Sequence, residues 1–280
     1  MVSVMLGRDH ALLGAVGYLV VAPLAFPHLS PDELGVGCLT SAAFALLPDI
    51  DEPGSTVSRK LGPISRAISE VTNKVAGGHR QATHSLLFVA LVGVTTWLAY
   101  QHRLALAIVV ALSSLLVFRM LLPRFIRYAL PAAIATTAVT GLAALWAWHT
   151  PTGSAAWFLL ATAGGCFWHL VGDTLTIEGV PYLWTPGVHK LQELRASVPL
   201  VGHCGSTRET VVGVGLSAAL LWMAGSLVLI PLVHGSDWQH LVTIPHIHLP
   251  GVPSPNLHIS GVHIPNVSTS GLHLPSLPHN

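Results

Sequence analysis

Charge is scarce in this chain. Of 280 residues, 13 are Lys or Arg and 12 are Asp or Glu, together 9 % of the whole. So small and balanced a set excludes the basic surface that nucleic-acid binding requires, and with it long-range electrostatic steering. Cysteine is scarcer still: Cys38, Cys166 and Cys204 are too few and too scattered for a disulfide framework. Cys38 and Cys166 fall in apolar stretches, where a thiol packs as a small hydrophobe. Cys204 stands next to His203, which leaves a ligand role open beside the packing one.

In place of charge the chain has hydrophobic length. Residues of hydrophobic type make up 51 %, and the mean hydropathy is +0.63. A helix that crosses a bilayer needs ~20 mostly apolar residues. About seven stretches approach that, at roughly 10–27, 34–48, 84–101, 104–122, 129–148, 156–172 and 211–233. The first continues through Pro23 to Phe26 with no small-x-small cleavage pattern, so it reads as a retained helix rather than a removed signal. The expected fold is an all-α, polytopic membrane bundle over residues 1–234, followed by a tail over 235–280.

The cations orient this bundle. With seven spans, one side receives Arg8, Arg59, Lys60, Arg66, Lys74 and Arg80, then Arg119, Arg124, Arg127, Lys190, Arg195 and Arg208; the other receives Arg103 alone. The positive-inside rule then places the N-terminus in the cytoplasm and the tail outside.

Against this apolar background a few ionisable residues stand at or beside helix ends: His10, Asp49, Asp51, His79, His84, His169 and Asp173. An ionised group at the centre of a membrane helix costs about 2.5–3.5 kcal/mol on insertion scales, so such groups are functional candidates. All seven fall on the proposed cytoplasmic side, although no step in drawing the spans used them.

Three clusters carry them. In Leu46-Leu47-Pro48-Asp49-Ile50-Asp51-Glu52-Pro53, the two prolines frame a short stiff segment. If it is extended, residues i and i+2 point the same way and two carboxylates reach one site; a helix cap and turn uses the same residue types. In Gly77-Gly78-His79-Arg80-Gln81-Ala82-Thr83-His84-Ser85, two imidazoles five residues apart share no helix face. A loop entering a helix, with Thr83 as its N-cap, would let them converge. Imidazole is the commonest metal ligand, and Arg80 suits an anionic substrate or a phosphoryl oxygen. In His169-Leu170-Val171-Gly172-Asp173, positions i and i+4 present an imidazole and a carboxylate to one point, as ligands or as a mutually satisfied pair.

These blocks, with Thr176, Gly179-Val180-Pro181, Leu183-Trp184 and Pro186 following the third, resemble the YdjM-like family of inner-membrane metal-dependent hydrolases across roughly residues 5–210. The resemblance implies that His10, Asp49, Asp51, His79, His84, His169 and Asp173 form the metal-site set. It also implies that Gly205-Ser206-x-x-Glu209 closes the motif set before the last helix, adding Glu209 as a further candidate. The pair of segments after the third and fourth spans is longer than a minimal member of that family needs, and the tail after 234 has no counterpart in the motifs.

Imidazoles and carboxylates without clustered cysteine favour a divalent ion, zinc first with manganese or iron as alternatives. Metal-assisted hydrolysis is the chemistry that such a set allows, with Asp49, Asp51, Arg80 and Glu209 as candidate catalytic residues. Spacing does not say which Asp ligates and which acts as base. A site at a membrane surface points to a lipid or lipid-linked phosphoester, or another small molecule, as substrate. The competing class is an ion or metal transporter that uses the same residues as a pathway; it calls for polar residues at several depths, whereas the span centres hold mainly Leu, Ala, Val and Gly.

Two further segments stand out. Within 55–78, Ile64, Ile68, Val71 and Val75 recur at helical spacing with Arg66, Glu70 and Lys74 on other faces, as in a helix that lies in the interface and covers the site or one that packs on neighbouring cytoplasmic loops. From Ile247 a ten-residue period aligns Gly251, Gly261 and Gly271, and Pro255, Pro265 and Pro275. So much proline suits an extended spacer, to which His246, His248, His258, His263, His273 and His279 add an option of weak external metal binding.

Overall fold

The computed structural model describes residues 6–122, 129–150, 156–184, 188, 192–202 and 206–234. The ten-residue repeats and Cys204 lie outside the described residues. Among the described residues the fold is all-helical, with two isolated backbone bridges, Thr176 to Gly202 and Val180 to Ala196, in place of strands.

The helices are α1 (Gly7–Ala25), α2 (Pro31–Phe44), α3 (Thr56–Lys60), α4 (Pro63–Ala76), α5 (Leu86–Tyr100), α6 (Arg103–Leu121), α7 (Leu130–His149), α8 (Ala156–Thr174) and α9 (Thr207–Ala224). A π-helical turn, Gly225–Leu229, carries α9 into α10 (Ile230–His234). Several starts are written locally. Pro31 occupies the first position of α2 behind a capping box in which Ser30 and Glu33 bond each other's backbone N–H. Ser206 caps α9 by accepting from Glu209 N at 3.1 Å. The N-cap of α5 is Ser85, which accepts from Phe88 N at 3.3 Å, and not Thr83 as expected. Thr83 is turned inward by a carboxylate partner described below.

Among the described residues, four segments are long and apolar enough to cross a membrane: Pro31–Asp51, Arg103–Leu121, Leu130–His149 and Thr207–Val233. Leu86–Tyr100 is a shorter apolar helix. The α1 and α8 helices, 19 residues each, are the polar-bearing centre of the bundle and do not reach that apolarity. Exposed Leu104, Ile108 and Leu112 on α6, Ile134 and Leu142 on α7, and Val214 and Leu221 on α9 present the apolar outer surface that lipid requires.

Helices α1, α2 and α8 pack closely because small residues line their contacts. A Cβ at Gly165 of α8 would lie 2.6 Å from the Ser41 carbonyl of α2, so only glycine allows that approach. Toward one end of these helices lies an apolar core of Tyr18, Leu19, Ala22, Trp157, Phe158 and Ala161. The other end of the α1–α2–α8 trio holds the ionisable residues.

Candidate metal centre

Asp49 and Asp51 sit on a single 3-10 turn, Pro48–Asp51, so of the two readings that the sequence leaves open the structure has the turn and not the extended segment. Proline at its first position has φ already suited to a tight helical turn, and the Asp49 carbonyl accepts from Glu52 N at 3.0 Å. On such a turn, residues i and i+2 do not point the same way. The two carboxylates therefore reach opposite nitrogens of one imidazole, Asp49 the Nε2 and Asp51 the Nδ1 of His84.

Four side chains form its centre. His84 Nε2 and His169 Nε2 are 3.1 Å apart. Asp49 Oδ1 lies 3.5 Å from each of them. Asp173 Oδ2 lies 3.4 Å from His84 Nε2 and 3.3 Å from His169 Nε2. Donors held ~2.0–2.2 Å from a tetrahedral zinc are separated from one another by about 3.3–3.6 Å. Four of the five separations fall in that range, and the His84–His169 one is shorter. All four residues are buried, and Asp49 Oδ1 and Asp173 Oδ2 have no hydrogen-bond partner. A buried carboxylate oxygen without a donor is costly unless a cation satisfies it.

The outward nitrogens of the two imidazoles are tied down. His169 Nδ1 lies 2.7 Å from the Ala45 carbonyl, to which it donates, which leaves Nε2 as the lone-pair side facing the centre. His84 Nδ1 lies 3.0 Å from Thr83 Oγ1 and 3.5 Å from Asp51 Oδ2. This is the support that metal-binding histidines ordinarily receive, a carbonyl or carboxylate on the nitrogen away from the ion.

Asp51 organises the rest. Its Oδ2 accepts from Thr83 Oγ1 and, at 3.2 Å, from Arg80 N, while Oδ1 lies 2.8 Å from His79 Nδ1. Burial disfavours the charged form of His79, but the bond to Asp51 and that carboxylate's charge outweigh it, so its pKa is raised. His79 Nε2 has no partner, and its side chain, 19 % exposed, is the most open of the cluster. His10 stacks on His169 with ring centres 3.8 Å apart and places Nε2 3.4 Å from Asp173 Oδ1.

The seven residues thus lie together, in three overlapping groups able to hold an ion: Asp49, His84 and His169; His10, His169 and Asp173; Asp51, His79 and His84. Two other expectations change. Arg80 does not face outward for an anion: its guanidinium is buried, pairs with Asp173 through Nη2 and reaches Thr176 Oγ1 at 3.2 Å and Glu178 Oε2 at 3.4 Å through Nη1. The residue has φ of 58°, a left-handed conformation that the clamp on both sides sustains. Glu209 is in none of the three groups; its Oε1 accepts from Leu6 N at 2.7 Å and ties the start of α9 to the start of α1.

Sequence reasoning passed over Asn73. Its Nδ2 donates to the Asp51 carbonyl at 2.6 Å, so α4 packs on the carboxylate turn through its polar side. The Ile64, Ile68, Val71 and Val75 stripe stays exposed, as expected of a helix in the interface. No local signal singles out Asn73, whose importance comes from a partner 22 residues away.

Apolar helices long enough for a bilayer, with a buried His/Asp cluster at one end, define an integral membrane protein with a candidate metal centre. A sequence model of the YdjM inner membrane protein family matches residues 5–232, and the chain belongs to that family. Comparison with curated proteins and with solved structures finds no match.

Proposed function

We propose that the protein is a membrane-bound, metal-dependent hydrolase whose site lies at the cytoplasmic surface of the inner membrane and acts on a lipid or other phosphoester. One observation carries this reading: four buried donor atoms, with those of Asp49 and Asp173 each 3.3–3.5 Å from both His84 Nε2 and His169 Nε2, and the two carboxylate oxygens without a hydrogen-bond partner. Asp49, His84, His169 and Asp173 would hold a divalent ion, zinc by its donor set, which when bound would supply Lewis-acid polarisation of a phosphoryl or carbonyl oxygen and a more acidic water.

The remaining residues then have separable tasks. Arg80 offsets the charge of Asp173 and holds its carboxylate in place. Asp51 orients His84 and His79 together. With Nδ1 on Asp51 and Nε2 unpartnered, His79 is placed to carry a proton to or from the reacting groups, as an imidazole oriented by a carboxylate does. This assigns the base role to the Asp51–His79 pair rather than to a carboxylate acting directly. A transport pathway is less well supported, because the cluster gives way toward the bundle's middle to Leu19, Ala22, Phe158 and Ala161.

Purified protein assayed for metal content and for hydrolysis of phosphoester and phospholipid substrates tests the reading. The wild type should retain an ion and hydrolyse an ester, and His84→Ala should lose both. Full metal content in His84→Ala, or ion flux in liposomes with no ester hydrolysis, overturns it.

A further inference from the structure

Beside the metal centre, on the outer side of α2, an open groove of about 180 Å³ runs between α2, α3 and α6. Phe44, Leu47, Val57, Leu61, Leu112 and Leu116 give it an almost wholly apolar lining. A groove of this kind on a membrane helix accepts an acyl chain. At one end of it stand two cations. Lys60 directly precedes Leu61 at the end of α3, and Arg119 is one turn beyond Leu116 in the last turn of α6. They are locked reciprocally: Lys60 Nζ donates to the Arg119 carbonyl at 3.4 Å and Arg119 Nη1 donates to the Lys60 carbonyl at 3.1 Å. Two like charges are thereby fixed over one apolar slot, each using a helix C-terminal carbonyl to hold its position.

We infer that this is a binding site for an anionic phospholipid, with one acyl chain along the α2–α6 groove and the phosphate at Lys60 and Arg119. Charge complementarity selects the headgroup and the lining selects the chain. Basic pockets between membrane helices hold anionic headgroups for the same reason. Leu47 is one of its walls and Pro48 begins the turn that carries Asp49, so the groove borders the centre without sharing a residue with it. The lipid site does not depend on the hydrolase reading, since none of its residues belongs to the His/Asp cluster.

The test compares dioleoyl-phosphatidylglycerol with dioleoyl-phosphatidylcholine on the full-length protein in detergent, by native mass spectrometry and by thermal melting, with free glycerol phosphate as control. The wild type should retain phosphatidylglycerol preferentially and melt at a higher temperature with it. The double variant K60Q/R119Q should lose the preference, with binding weakened roughly tenfold or more. Leu112→Trp, which fills the groove and leaves both cations, should weaken both lipids. Metal content in these variants should stay at the wild-type level, which separates a failure here from a failure of the metal centre. Equal retention of the two lipids by the wild type overturns the inference without recourse to any variant. So does a preference that survives K60Q/R119Q, or stabilisation by glycerol phosphate as large as that by the lipid.

Discussion

Arg80 shows how a single side chain is reassigned by its surroundings. Between two histidines in a loop it invites reading as an anion receptor, yet its guanidinium is buried against Asp173 and its backbone N–H holds Asp51. Removing one member of a buried ion pair typically costs about 3–5 kcal/mol, because the other charge is left uncompensated. Arg80→Ala should therefore lower both the melting temperature and the metal affinity. An outward-facing anion receptor would leave metal content unchanged, so zinc content of the purified variant decides between the two. Asp51→Asn is a milder change, keeping an oxygen for Thr83 while removing the charge that orients His79 and His84. Loss of such a supporting group generally costs about 10–100-fold in metal affinity or activity. Competition with a chelator should show a loss in that range, while His84→Ala shows no measurable site.

At the scale of elements, α4 is bound on one side and open on the other. Ser65 and Ser69 are buried and Asn73 is bonded to the Asp51 carbonyl, whereas Ile68 and Val75 are exposed. Fully burying a Val or Ile side chain is worth about 1.5–3 kcal/mol, so a bilayer surface is the natural cover for the stripe. Tryptophan placed at Val71 should be quenched by brominated lipids, and tryptophan at Glu70, on another face, much less; equal quenching would remove the interfacial assignment. The legibility of the chain divides along the same line. Helices such as α6 and α7 are visible in the sequence because apolar length is a local property. The residue types of the cluster were legible too, since ionisable groups stand out where charge is rare. What was not legible depends on distant partners. Thr83 has the sequence context of an N-cap but bonds Asp51, 32 residues away, and Arg80 meets Asp173 across 93 residues. The Pro48–Asp51 segment stays open between extended and turn in the sequence because proline suits both conformations and only the packed structure selects one.

For the whole molecule, the arrangement implies a division of labour along the chain. Every residue of the cluster, and the whole of the family match, lies before residue 233, while the ten-residue repeats begin after it. A chain ending at His234 should insert, retain its ion and keep its melting temperature within error, as measured in parallel with the full-length protein. A large loss of metal would instead tie the tail to the centre. The charge asymmetry makes a second demand on the molecule as a whole. If the positive-inside rule sets its orientation, α4 and the repeats lie on opposite sides of the membrane. Ser58 is buried and bonded to the Glu52 and Ser55 carbonyls, so it makes a poor labelling position, and exposed Ala67 on α4 is the better one. In a background with Cys38, Cys166 and Cys204 replaced, Ala67→Cys should react only with a permeant thiol reagent in intact cells, and Ser268→Cys with an impermeant one. Because Lys60, Arg80 and the cluster share the end of the bundle that α4 covers, labelling of Ala67→Cys from outside would move the metal centre and the lipid site to the opposite face together.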